Sequence, residues 1–73
     1  MATIDVKAEI TGSVWKILAG PGQKVGEDEP IVMMESMKMQ IPISAPEPGI
    51  VKEILVAEGD VVTEGSVVVR LEV

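Results

Sequence analysis

The chain has 73 residues, twelve acidic side chains against six basic ones, a formal net charge of −6, a single aromatic residue, and neither cysteine nor histidine. Disulfide, thiolate and imidazole chemistry are therefore excluded, and an acidic surface with one aromatic ring lacks the basic patches and stacking platforms that nucleic acid requires. No apolar run approaches the roughly 20 residues of a membrane-spanning helix, and the N-terminus lacks a basic-then-apolar signal pattern, so a cytoplasmic protein without a membrane partner is expected.

In chain order, Thr3–Ile10 alternates apolar and polar residues with period two, the mark of a strand with one wet face. Thr11-Gly12 interrupts it, Ser13–Leu18 predicts a second strand, and Ala19-Gly20-Pro21-Gly22 is a turn. Trp15 in that second strand is expected to be partly exposed. Gln23-Lys24-Val25 is a brief strand before Glu27-Asp28-Glu29, read as a solvated turn with an acidic docking patch as the alternative. The β-branched and methionine run Ile31–Glu35 predicts a largely buried strand.

Met39–Ile43 alternates again, and Pro42, which cannot donate to a ladder, places it at a sheet edge. Ala45-Pro46-Glu47-Pro48-Gly49 is a turn, Ile50–Val56 a strand, Ala57-Glu58-Gly59-Asp60 a turn and Val61-Val62-Thr63 a short strand. Ser66–Val73 closes the chain as a strand, with Arg70 outward and Leu71 inward. No helix is predicted. Short strands between regular Gly/Pro turns indicate an all-β sandwich or barrel with four strands in each half of the chain.

The two halves resemble each other. Gly12–Glu35 aligns without a gap on Gly49–Glu72, at an offset of 37 residues, and Gly12/Gly49, Val14/Val51, Ile17/Ile54, Leu18/Leu55, Gly22/Gly59, Val25/Val62, Val32/Val69 and Glu35/Glu72 are identical. Two copies are too few for a solenoid. The repeat therefore predicts one domain, 1–73, in which residues 1–36 and 38–73 close on each other about a pseudo-twofold axis. A chain this short buries only about 60% of its unfolded surface, so its core is marginal.

The junction of the halves is Met33-Met34-Glu35-Ser36-Met37-Lys38-Met39-Gln40, four of whose eight residues are methionine. By side-chain type alone Lys38 would be a solvated surface lysine and its neighbours core fillers. Their coincidence with the symmetry point weakens both readings. Glu35 has a counterpart in Glu72, where no lysine follows, which favours a structural role at a strand end.

Glu35-Ser36-Met37-Lys38-Met39 resembles the attachment motif of the biotinyl domains, commonly Glu-Ala-Met-Lys-Met, and the likeness extends through Gly12-Ser13-Val14, Gly22-Gln23-Lys24-Val25, Ala45-Pro46…Gly49 and Glu58-Gly59-Asp60. The resemblance implies a flattened barrel of two four-stranded antiparallel sheets, the barrel-sandwich hybrid of the biotinyl/lipoyl domains. Lys38 would stand at a hairpin tip around 36–39 and carry biotin through an amide on its ε-nitrogen. Met37, Met39, Ser36 and Glu35 would be the flanking recognition residues. Ser36 stands where the family commonly has Ala and adds a hydroxyl near the ligase contact. The interval between Leu18 and Val25 leaves no room for a protruding thumb, and the chain is similar to small free-standing attachment proteins, expected to be monomeric in isolation.

A lysine ammonium is a poor nucleophile at neutral pH. By resemblance, a biotin protein ligase supplies the deprotonation and presents biotinyl-AMP, whose carbonyl Lys38 attacks. The implied partners thereafter are a biotin carboxylase and a carboxyltransferase, between which the tethered group shuttles at raised effective concentration. Lipoyl domains share the architecture, often with Asp-Lys-Ala at the tip, so lipoate and a lipoyl ligase form the alternative cofactor and partner. A structural β-module without cofactor is the alternative from another class. No nucleophile–base pair or metal cluster can be assembled, so the chain is expected to be a carrier and not an enzyme.

Overall fold

A computed structural model describes residues 2–73. Eight strands form two four-stranded antiparallel sheets: β1 (Thr3–Lys7), β2 (Gly12–Ile17), β3 (Lys24–Val25), β4 (Pro30–Ser36), β5 (Met39–Ser44), β6 (Gly49–Ile54), β7 (Val61–Val62) and β8 (Val67–Glu72). Their orders are β1-β8-β6-β3 and β5-β4-β2-β7. An offset of 37 residues converts the first order into the second, so each half of the chain contributes two strands to each sheet. This is the flattened, thumbless all-β sandwich expected from the sequence.

The symmetry extends to single hydrogen bonds. Gly22 N donates to Val51 O at 2.7 Å and Gly59 N to Val14 O at 2.8 Å; Asp28 N donates to Ala45 O and Gly65 N to Ala8 O, both at 2.8 Å. The turns need left-handed backbone at equivalent places, and it is supplied by Gly22 and Gly59 and by Asp28 and Gly65. Only glycine takes that conformation freely, and aspartate is among the residues that tolerate it.

The core lies between the sheets. Ile31, Val32, Met34, Val51, Val68, Val69 and Leu71 are fully buried, and no polar or charged side chain is buried among the described residues. Alternation explains most of this pattern, because Val32 and Met34 of β4, and Val69 and Leu71 of β8, point to one face of their strand. Ile31 joins them because the register shifts between Pro30 and Val32, turning one extra side chain inward.

Several strands end sooner than alternation predicts. β1 stops at Lys7, where its register against β8 shifts, and β6 stops at Ile54 although the apolar run continues to Val56. Just beyond those points one further bond continues each pairing with β8 in the same sheet, Ala8 N donating to Ser66 O and Leu55 N to Val68 O, before the chain turns away. Pro42 lies on β5, an edge strand, as its missing donor requires.

A further register shift explains why Trp15 aligns with Lys52 and not with a core residue. In β2, Val14 is opposite Met34 and Lys16 opposite Met33, leaving Trp15 as the extra residue; in β6, Lys52 is the extra residue between Val51 and Glu53. Trp15 is half-exposed. Arg70 points outward and Leu71 inward, and the Arg70 guanidinium pairs with Glu53 at 2.8 Å and Asp5 at 3.3 Å. The hydrogen bond to Glu53, then the charges of Glu53 and Asp5, raise its pKa above the usual arginine value.

Candidate attachment site on the β4–β5 hairpin

The last register pair of the β4–β5 ladder is Ser36 with Met39, which leaves Met37 and Lys38 as a two-residue loop. Both have left-handed backbone, with φ of 53° and 65°. Positive φ at both central residues is the type I′ geometry, whose twist matches that of the flanking strands. Asn-Gly is the usual solution, and methionine and lysine have no preference for this region; each pays about 1–2 kcal/mol there. Local sequence favours stability poorly at this turn. What the turn achieves is presentation of two long side chains at the extreme tip.

Lys38 is exposed. The two ion pairs among the described residues both belong to Arg70, so no carboxylate holds the Lys38 amine down. Met37 is 88% and Met39 58% exposed, whereas Met34, three residues before Met37, is fully buried. The methionines flanking the lysine are therefore surface residues, and the core-filling role belongs to Met34. Glu35 is the penultimate residue of β4, opposite Ser13 and Gln40, with an exposed side chain.

The base of the hairpin is anchored. Ser36 Oγ donates to the Thr11 carbonyl at 3.0 Å, and Thr11 Oγ1 accepts from Glu64 N at 3.0 Å. The serine hydroxyl thus ties the hairpin to the β1–β2 connection and, through Thr11, to the β7–β8 turn. A Cβ built on Gly12 would lie 2.5 Å from the Glu35 carbonyl oxygen and 3.1 Å from Ser36 Cβ. At the symmetry-related place, a Cβ on Gly49 would lie 2.8 Å from Glu72 O. What Glu35 and Glu72 share is this backbone approach to a glycine, not a task for their carboxylates.

Thr11 was not singled out by sequence reasoning, because a threonine beside a turn has no distinctive pattern. Gly12 was marked by its counterpart Gly49 and by the Gly12-Ser13-Val14 likeness, but its contact with the hairpin was not. The acidic run Glu27-Asp28-Glu29 is exposed on a turn, where the Glu29 carboxylate accepts from Gly26 N at 3.1 Å. A solvent-open cleft of about 610 Å³ runs between β1 and β5, lined by residues including Asp5, Lys7, Pro42 and Ala45, and contains no residue of the 35–39 motif. The protrusion, not the concavity, carries the conspicuous chemistry. No group of three or more Asp or Glu residues that could hold a metal ion occurs among the described residues, and no helix is long and apolar enough to cross a membrane.

The site fits a covalently tethered acyl group, since it offers an unpaired primary amine at the tip of an anchored two-stranded support. A family model described as a biotin-requiring enzyme matches residues 3–71. The biotin/lipoyl attachment protein of Bacillus subtilis is 41% identical over 66 residues, which make up 90% of each chain. Among solved structures, the urea carboxylase of Kluyveromyces lactis superposes with a TM-score of 0.93 at 29% identity, over 99% of this chain and 6% of that one. The lipoyl domain of the 2-oxoglutarate dehydrogenase complex from Azotobacter vinelandii superposes with a TM-score of 0.78 at 33% identity, over 94% and 95% of the two chains. Sequence, sheet order and hairpin together show that the chain belongs to the biotin/lipoyl attachment domain family.

Proposed function

We propose that the chain is a biotin carboxyl carrier protein and that Lys38 is its point of attachment. The observation that carries this reading is the position of Lys38, exposed at φ of 65° in the two-residue tip of the β4–β5 hairpin, inside Glu35-Ser36-Met37-Lys38-Met39. A biotin protein ligase would acylate the Lys38 ε-nitrogen. The bound biotin would carry CO₂ between a biotin carboxylase and a carboxyltransferase. The chain's own residues supply no bond-making step: Met37 and Lys38 set the amine outward, Ser36 and Gly12 hold the hairpin base, and the sandwich gives the ligase a rigid shape to read. Tethering then raises the local concentration of the group at successive active sites.

Biotin is preferred to lipoate because methionine flanks Lys38 on both sides. The lipoyl-carrying alternative, with a lipoyl ligase as partner, is supported by the similarity to the Azotobacter lipoyl domain. Intact mass of the chain purified from its native cell, followed by peptide mapping across residues 33–39, decides between them. A biotinyl adduct on Lys38 is expected. A lipoyl adduct moves the function to acyl transfer, and a chain left unmodified by competent ligases leaves only a structural module. Lys38→Arg is expected to abolish labelling completely while leaving the circular dichroism spectrum and Tm unchanged.

A further inference from the structure

The two outer faces of the sandwich have the same backbone and opposite chemistry. Across the middle of the β1-β8-β6-β3 sheet, Asp5, Arg70 and Glu53 are register partners and form an ion-paired row, with Lys52 as the extra residue of the β6 bulge. The residues 37 positions away occupy the same row of the other sheet, where Pro42 is opposite Met33 and Met33 opposite Lys16, with Trp15 as the extra residue of the β2 bulge. The fold therefore does not require apolar side chains in this row, since one of its two copies is built from charges. Trp15 nevertheless remains 48% exposed on the face that bears the hairpin.

We propose that this row, Pro42–Met33–Lys16 with Trp15 at its bulge, is the docking surface for the ligase that acylates Lys38, an inference that rests on the carrier reading. Three observations single out that occupant. The row is continuous with the tip: Met33 precedes Ser36 by three residues on β4, about 10 Å along the strand, and the two pairs between are Met34–Ile41, whose Met34 is buried, and the exposed Glu35–Gln40. Pro42 removes a backbone donor from the free edge of β5, so a partner meets this part of the sheet through its side chains and not by adding a strand. The face is flanked by Glu35 and by Glu58, whose carboxylate accepts from Ile17 N at 3.0 Å at the end of β2. A partner surface that is apolar where it meets Pro42, Met33 and Trp15, acidic opposite the exposed Lys16 and basic opposite Glu35 and Glu58 complements it, with Trp15 as the anchor type that dominates interfaces.

Reach distinguishes the ligase from the enzymes that act later. Before modification the chain presents only a lysine stem, so the acylating enzyme must bring its own active site to the hairpin and hold the sandwich beside it. Enzymes that act after modification meet a long arm and have less need of this face.

The test replaces the row with the residues the same chain uses at the equivalent positions: Trp15→Lys, Lys16→Glu, Met33→Arg and Pro42→Asp in one variant, and Trp15→Lys alone at the exposed bulge as a milder second. The full chain is labelled by biotin ligase with biotin and ATP, and in parallel by lipoyl ligase with lipoate and ATP. With whichever pair labels the wild type, the fourfold variant is expected to raise KM by about tenfold or more and Trp15→Lys by about threefold or more, both with kcat unchanged. Arg70→Met, on the opposite face, is expected to leave KM unchanged. A KM within twofold of wild type in a folded variant overturns the proposal. Unchanged ligase KM with reduced turnover of the labelled variant by a biotin carboxylase assigns the face to the later enzyme and likewise overturns it. A wild type that accepts neither group overturns the carrier reading and this proposal together, an outcome visible before any variant is made.

Discussion

On the proposed carrier reading, Met37 and Lys38 are where stability and function separate. Each has positive φ without being glycine, asparagine or aspartate, and the fold accepts the penalty because the β4–β5 ladder closes on both sides of them. Replacing Met37-Lys38 with Asn-Gly is expected to stabilise the protein by about 1–2 kcal/mol, raising Tm by about 4–8 °C per kcal/mol in a domain of this size, and to eliminate labelling. Calorimetry and a labelling gel on the same sample check both halves of that statement. Ser36→Ala removes the hydroxyl bond to Thr11 and is expected to lower stability by about 0.5–1.5 kcal/mol in urea unfolding. Labelling should persist, since alanine is the usual family residue at that place.

Among the elements, the symmetry provides matched controls. Gly12→Ala and Gly49→Ala each drive a methyl into a backbone carbonyl, at 2.5 Å and 2.8 Å, and each is expected to destabilise the protein by about 1–3 kcal/mol. Only Gly12 touches the hairpin base. Gly12→Ala should therefore raise the ligase KM as well, whereas Gly49→Ala, whose carbonyl partner belongs to Glu72, should not; side-by-side labelling kinetics measure the difference. Strand identities were legible in the alternation of Thr3–Lys7 and Met39–Ile43, because a sheet with one buried face imposes period two on its sequence, and in the apolar run that opens Val67–Glu72. The bulges at Trp15, Lys52, Ile31 and Val68 were not legible. An unpaired residue leaves no mark in composition, and its side chain can point out, as Trp15 does, or in, as Ile31 and Val68 do.

At the scale of the whole molecule the two halves are interlocked. Neither half closes a sheet alone, since β1 and β3 pair with β8 and β6, and β5 and β7 pair with β4 and β2. Peptides 1–36 and 38–73 are accordingly expected to be unfolded when separate, which circular dichroism of each would show, and the intact chain to unfold in one cooperative step. A core shared in this way tolerates little loss: Leu71→Ala, at a fully buried position, is expected to cost about 2–5 kcal/mol of a total on the order of 4–11 kcal/mol, measured by urea unfolding. The sequence by itself determined the all-β class, the repeat, the lysine at its junction and the exclusion of cysteine and histidine chemistry, because residue type and periodicity are local properties. Only the tertiary structure decided that Met37 and Met39 face solvent while Met34 fills the core, that Ser36 is tied to Thr11, and that one outer face is ion-paired while its counterpart presents Trp15. Those facts depend on which strands meet and in what register, and register is set by long-range packing of both halves at once.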